Sequence, residues 1–152
     1  MWRKRLLILV ILAVVLAGGL FAKEGFVRAG FGAGIYHEGD SGYSETFPMI
    51  ALDVDFVNRY GLTFGLTEGM VFPDYGYTAH TPMFGFGYTY AADRFCLGAK
   101  LVGSPMILDT GGLNISGTFW IIDCIGISAA ADFLFFSDYL IILFRAGVSI
   151  RI

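Results

Sequence analysis

The stretch that decides the fold is LIILFRAGVSIRI, residues 140–152. Every second residue from Leu140 to Ile152 is apolar. The intervening positions end in a small or polar set, Arg145, Gly147, Ser149 and Arg151. A period of two places successive side chains on opposite faces of a β-strand. The stretch therefore predicts a strand with one long apolar face, which an apolar environment has to cover.

The composition extends this prediction to the whole chain. Hydrophobic residues make up 56% of the 152 residues and charged residues only 15%, whereas a soluble domain carries roughly a quarter of charged residues. The 21 glycines, 15 phenylalanines and 8 tyrosines favour strands and turns over helices. An all-β protein with an unusually apolar surface is predicted.

Residues 1–22, MWRKRLLILVILAVVLAGGLFA, differ from the rest. A basic start, an uninterrupted apolar run over residues 6–16 and small residues towards Ala22 are typical of a cleaved secretory signal peptide. A retained transmembrane anchor is the alternative, because the apolar run extended to Ala22 is nearly long enough to span a membrane. We expect cleavage near Ala22, with Ala17 or Gly18 as other sites, and a single domain over residues 23–152.

The charge balance excludes one class of function. The signal holds three of the ten basic residues, which leaves 7 basic against 13 acidic residues and a net charge of −6. Export places the protein in the cell envelope or outside the cell. Nucleic acid is not an expected partner, since no basic surface can form from this balance.

The period of two recurs in seven further segments, so that eight strands are predicted. The strands are expected at about residues 27–35, 50–56, 62–66, 84–90, 95–101, 113–121, 125–133 and 140–152. Short turns at 58–61, 92–94 and 123–124 alternate with longer loops at 37–46, 73–80 and 103–112. The link at 137–139 is short although it lies on the longer-loop side.

This alternation predicts an eight-stranded antiparallel up-and-down transmembrane β-barrel with both termini on the short-turn side. A soluble lipocalin-like barrel would turn the apolar faces inward, but an eight-stranded interior is too narrow for so many large side chains. A helical membrane protein is disfavoured, because beyond the signal no run of 18 apolar residues lacks Gly, Pro or charge.

From about Gly25 to Ile152, the chain resembles the small eight-stranded outer-membrane barrels of the OmpA, OmpX and OmpW class. The resemblance rests on the alternating pattern, the strand count and the signal. It implies a monomer in the lipid of the bacterial outer membrane, inserted by the barrel-assembly machinery, with both termini periplasmic. Members of the class usually end in an aromatic residue, whereas this sequence ends in Ile152.

The inner face is expected to carry a polar network in the lumen. Its predicted members are Arg28, Asp53, Asp55, Lys100, Asp132, Arg145 and Arg151. Three acids and four bases in a narrow lumen tend to pair, which favours a plug over an open channel. A last hairpin centred between Ser137 and Leu140 would place Asp132 directly across from Arg145, and a first hairpin centred between Tyr36 and Phe47 would place Arg28 across from Asp55.

Many inward positions hold glycine, and two interpretations stay open. The set is Gly30, Gly32, Gly34, Gly65, Gly85, Gly87, Gly98, Gly126 and Gly147. Missing side chains could leave room for a thin file of water or a recess for a small ligand. Alternatively, the glycines relieve crowding and allow strong coiling of the strands.

No catalytic site, metal site or cofactor is predicted. His37 and His80 lie in expected outer loops, but no His-x-Ser or Asp-Ser pair matches the lipid A deacylases or acyltransferases of similar size, and no tight ligand spacing marks a metal site. Cys96 and Cys124 are expected on the inner face of strands five and seven. Two strand spacings, about 9 to 10 Å, exceed the roughly 7 Å limit for a disulfide, so free thiols are expected.

Two functions remain. The first is a passive role, either structural or in the transport of small solutes or small apolar molecules. The alternative is an adhesin-like surface interaction through acidic outer loops, which carry Glu38, Asp40, Glu45, Asp74, Asp109 and Asp138 but no Lys or Arg. Loop aromatics, including Phe72, Tyr75, Tyr77 and Tyr139, are interpreted as anchors at the membrane interface.

Overall fold

The computed structural model describes residues 22–73, 76, 78–104 and 111–152. Nearly all of the predicted signal, together with Asp74, Tyr75, Tyr77 and Asp109, lies outside these residues. Eight strands are present: β1 (Ala22–Glu38), β2 (Ser44–Asn58), β3 (Leu62–Val71), β4 (Ala79–Ala91), β5 (Phe95–Gly103), β6 (Gly111–Ile122), β7 (Ile125–Phe135) and β8 (Tyr139–Arg151). Among the described residues, no helix is long and apolar enough to cross a membrane.

The strands form a closed antiparallel barrel in which each strand pairs with the next and β8 pairs with β1. Gly25 and Ile152 close the seam with reciprocal backbone hydrogen bonds of 2.9 Å. Closure gives the backbone groups of both terminal strands a partner, which hydrocarbon surroundings require. The predicted fold class, an eight-stranded up-and-down barrel, is confirmed.

The two faces of the strands differ as the alternation predicted. Phe31 and Leu101 point outward with 72% and 73% of their surface exposed, while Asp55 points inward with 1% exposed. The outward face continues as a band of large apolar side chains around the barrel. An apolar exterior of this extent is a membrane-facing surface, and the lipocalin-like orientation is excluded.

Several strands are longer than the apolar pattern indicated. β1 ends at Glu38 and β2 begins at Ser44, so a predicted ten-residue loop is reduced to residues 39–43. His37 pairs with Ser44 in the ladder, and a 2.8 Å hydrogen bond joins His37 Nδ1 to Ser44 Oγ. Apolar and polar residues alternate only over the part of a strand that faces apolar surroundings. Backbone pairing between the strands continues beyond that part. We call this end of the barrel the loop end and the opposite end the terminal end.

The turns at the terminal end are tight. At the β2–β3 turn, the Asn58 side-chain oxygen accepts hydrogen bonds from the amides of Tyr60 (2.8 Å) and Leu62 (3.0 Å), an Asx arrangement that fixes the reversal. Gly61 has φ +84°, a left-handed conformation that favours glycine.

The two cysteines lie on different kinds of element. Cys124 lies exposed in the β6–β7 turn rather than on strand seven as predicted, and Cys96 is buried on β5. Both thiols are free.

Candidate functional site in the barrel lumen

Six charged side chains form a buried layer across the lumen. Three are carboxylates, Asp53, Asp55 and Asp132, and three are bases, Arg28, Lys100 and Arg145. All six come from inward positions of β1, β2, β5, β7 and β8. A buried charge is tolerated only when it is paired and hydrogen-bonded, so the contacts among these groups determine whether the layer is stable.

The first group of contacts is centred on Arg145. Its guanidinium donates to both carboxylate oxygens of Asp53, at 2.8 and 3.1 Å, and its other terminal nitrogen donates to Asp132. The Thr67 hydroxyl donates to Asp53 at 2.5 Å, and the Asn114 amide donates to Asp132 at 2.6 Å. One arginine therefore bridges two carboxylates through different edges of its planar guanidinium, and neutral donors supply further hydrogen bonds.

The second group is centred on Asp55. Lys100 donates to one of its oxygens at 2.5 Å, and Arg28 donates to the other. Arg28 also donates through Nε to Thr118 at 3.2 Å, and Thr118 is hydrogen-bonded to Ser149 at 3.2 Å. The six charges sum to zero, and each has at least one opposite charge in contact.

The strand registers differ from the predicted ones by two residues. Arg28 lies across from Asp53 rather than Asp55, and Arg145 lies across from Ala130 rather than Asp132. Both hairpins are centred one residue earlier in the chain than the apolar pattern suggested. Arg28 still reaches Asp55, and Arg145 still reaches Asp132, because diagonal neighbours on one face lie within range of long side chains.

Arg151, the remaining predicted member of the network, lies elsewhere. Its guanidinium stacks over the Trp120 ring at 4.3 Å near the terminal end, and among the described residues it makes no ion pair. Its Nε and the Trp120 indole nitrogen are buried, and no described residue forms a hydrogen bond with either of them. Arg151 therefore contacts an aromatic side chain and stands apart from the charged layer.

Buried apolar side chains flank that layer on both sides within the barrel. At the loop end, the buried cluster is Phe47, Met49, Ala51, Val71, Met83, Val102, Leu134 and Leu143, here called the loop-end seal. At the terminal end, Phe26, Val57, Cys96 and Trp120 form the terminal-end seal. Reading along the inward positions of β2 gives the order directly, from Phe47 and Met49 through Asp53 and Asp55 to Val57.

Neither seal and none of the neutral donors was predicted from the alternating pattern. Their signal is present in the chain as apolar residues on both faces near strand ends, as in the neighbours Met49 and Ile50 or Trp120 and Ile121. The alternating pattern puts Thr67 and Asn114 on the inner face, but their role as donors to the buried carboxylates depends on cross-strand geometry. A period of two assigns a side chain to a face and says nothing about its partner.

The structure distinguishes between the two interpretations of the inward glycines. A Cβ added to Gly32, Gly87 or Gly147 would overlap a carbonyl oxygen of the adjacent strand. At Gly65, it would overlap the Asp55 carboxylate and lie 2.7 Å from Lys100 Nζ. The space beside these glycines is thus already occupied, which supports close strand approach and coiling and argues against a water file.

The loop end also contains a small apolar recess of about 160 Å³. Its walls include Phe47 and Leu143 of the loop-end seal together with Phe136 and Tyr139, whose rings stack at 4.1 Å. The recess is therefore an indentation in the loop-end seal.

Within the described part of the chain, no three His, Cys, Asp or Glu side chains gather in a way that could hold a metal ion.

Solved structures share this architecture. Ail, the attachment invasion locus protein of Yersinia pestis, matches with a TM-score of 0.66 and 10% identity over 85% of this chain and 98% of that chain. Neisserial surface protein A (NspA) matches with a TM-score of 0.63 and 10% identity over 83% and 96%. Ail in complex with the heparin analogue sucrose octasulfate matches with a TM-score of 0.56 and 10% identity over 85% and 98%.

Sequence comparisons give no closer assignment. No protein-family model matches the chain, and no curated protein matches it either. At 10% identity, the structural likeness establishes the fold alone. The chain has the fold of the small eight-stranded outer-membrane β-barrels represented by Ail and NspA.

Proposed function

We propose that the protein is an integral outer-membrane barrel with a passive structural role and a closed, non-conducting lumen. The observation that carries this proposal is the charged layer of three acids and three bases, paired within the lumen and flanked by two apolar seals. An ion crossing the barrel would have to pass both seals and separate buried pairs, which is costly in a medium of low polarity. No catalytic step is part of this role.

The proposed orientation places the loop end outside the cell and both termini in the periplasm. Short turns on the periplasmic side and longer connections outside are typical of outer-membrane barrels. The apolar outer band would contact membrane lipid, and the barrel-assembly machinery would insert the protein as a monomer.

A second candidate, binding of a small apolar molecule, is favoured by the recess at the loop end. Its volume of about 160 Å³ is similar to that of an apolar cavity that holds benzene. Binding there is compatible with the closed lumen, whereas transport through the barrel would require the loop-end seal to open.

An adhesin-like role is the alternative to the structural role and to the binding of a small apolar molecule. At the loop end, the described connections and the residues beside them include Glu38, Asp40, Glu45 and Asp138 and no Lys or Arg. Sucrose octasulfate is a polyanion, and like charge would oppose the binding of such a ligand here. A surface partner of this barrel would therefore need a basic face.

Conductance measurements test the closed lumen. We expect the refolded protein in a planar bilayer to show no sustained current steps above the bare membrane, because the seals and the charged layer occupy the lumen. An open porin in the same lipid controls for detection, and a heat-modifiability gel confirms folding. Discrete steps whose frequency rises with protein concentration would contradict the proposal.

Epitope accessibility tests the orientation. A tag inserted at Gly39, in the loop over residues 39–43, should be labelled by antibody on intact cells. The matched tag at Arg59, in the turn at the terminal end, should be labelled only after the outer membrane is permeabilised. The opposite pattern would contradict the orientation while leaving the fold unaffected.

A further inference from the structure

One hydrogen-bonded pair of ionisable residues lies on the outward face of the barrel. Glu68 on β3 and His80 on β4 are 2.9 Å apart, with 46% and 62% of their side chains exposed. Among the described strands, Glu68 is the one acid whose side chain points outward, between the inward Thr67 and Gly69. An ionisable group on the membrane face is costly and marks a functional site by default.

The Glu68 carboxylate lies closer to the loop end than the backbone that carries it. Glu68 pairs with Leu52 on one side and Pro82 on the other, within the apolar band. Its carboxylate contacts His80, the second residue of β4, and therefore reaches towards the loop end. Side chains near membrane boundaries extend in this way to keep the charge at the headgroup level.

An apolar groove lies next to this carboxylate, on its terminal-end side. It has a volume of about 320 Å³, within the lower range of ligand sites in proteins. Its outward-facing walls are formed by Leu52, Val54, Leu66, Glu68, Pro82 and Phe84. The Glu68 carboxylate therefore lies at the loop-end edge of an apolar groove on the outward face of the barrel.

We propose that the β2–β4 face binds a phospholipid with an ethanolamine headgroup. The lipid's primary ammonium donates to the Glu68 carboxylate, and an acyl chain lies in the groove. Charge complementarity supports contact with the ammonium end of this zwitterionic headgroup, because the described residues near the loop end include acids and no Lys or Arg. A primary ammonium offers three N–H donors to a carboxylate, whereas a choline headgroup offers none.

Native mass spectrometry tests this proposal, which rests on the proposed membrane location. The folded protein in detergent micelles receives an equimolar mixture of phosphatidylethanolamine and phosphatidylcholine with identical acyl chains. We expect the ethanolamine lipid to bind up to about fivefold more often, a modest ratio because exposed charge pairs contribute little. Stepwise N-methylation of the headgroup should reduce the ratio progressively.

Variants connect the preference to the carboxylate. Glu68→Gln should bring the ratio to about one, since the amide keeps the shape and loses the charge. The matched variant Glu45→Gln, at the same end but outside the groove, should keep the preference. His80→Ala should also keep it, because Glu68 remains free to accept from the ammonium.

Each contrary outcome has a distinct meaning. Equal binding of both lipids by the folded wild type, or a preference that survives Glu68→Gln, would overturn the lipid site. A dimer that disappears in Glu68→Gln would overturn it in favour of a second copy on this face. Failure of the wild type to fold in both micelles and vesicles would instead contradict the proposed membrane function.

Discussion

Replacing Arg145 by alanine is expected to destabilise the barrel by about 3 to 5 kcal/mol, the cost of leaving a buried charge without its partner. Arg145 contacts both Asp53 and Asp132, whose side chains are almost completely buried. Removal leaves two carboxylates that must lose their charge or stay unpaired in the lumen. The free energy of unfolding in lipid vesicles, measured by urea titration, provides the test.

A double-mutant cycle checks whether these side chains act together. Asp132→Ala alone should also be strongly destabilising, and Asp132→Ala/Arg145→Ala should cost less than the sum of the single changes. Adding Asp53→Asn to the double variant should recover further stability, since Asp53 is the remaining unpaired acid. Pairs in contact show coupling of about 0.5 to 3 kcal/mol.

Arg151→Ala supplies the matched control. Arg151 stacks on Trp120 and makes no ion pair with a described residue, so its loss should cost about 1 kcal/mol or less. Strict additivity in the Arg145 and Asp132 cycle would show that the two side chains do not interact in the folded barrel.

The second large effect is expected at the seam where β1 and β8 close the barrel. Gly147 lies across from Gly30. A Cβ at Gly147 would overlap the Ala29 carbonyl oxygen and lie 2.5 Å from the Gly30 Cα. Because these are backbone atoms of the paired strand, Gly147→Ala must push the strands apart. We expect a cost of about 3 kcal/mol, the upper part of the range for overpacking.

Gly117→Ala is the control for Gly147→Ala. Gly117 faces outward, and its added Cβ would lie 3.2 Å from the tip of the Leu97 side chain, which can rotate away. The change in unfolding free energy should stay within about 0.5 kcal/mol. Equal tolerance of both alanines, measured by urea titration and heat-modifiability gels, would contradict the close approach of the strands at the seam.

Much of the fold followed from the alternation of residue types. In LIILFRAGVSIRI, the period of two assigned Arg145 to the inner face and Phe144 to the outer face, and the structure agrees. Seven similar segments fixed the number of strands. This works because hydrocarbon outside the barrel selects against polar side chains at every outward position. The residue pattern of each strand by itself therefore shows which side chains face the membrane.

The partners of the inner side chains could not be obtained in this way. Asp53 and Arg145 lie 92 residues apart and come from β2 and β8, which both pair with β1. Their contact depends on the registers of two strand pairs, and the sequence pattern misplaced two hairpin registers by two residues. A shift of two leaves every side chain on the same face, so the alternation carries no signal against it.

The sequence by itself therefore determined the strand number, the two faces and the positions of the charged residues. Only the tertiary structure decided which acid meets which base, that apolar seals flank the charged layer, that the inward glycines fit against neighbouring strands, and that Glu68 meets His80 above a groove. The physical reason is that the face on which a side chain lies depends on local periodicity. Strand pairing, side-chain packing and barrel closure depend instead on how each strand is shifted against the next.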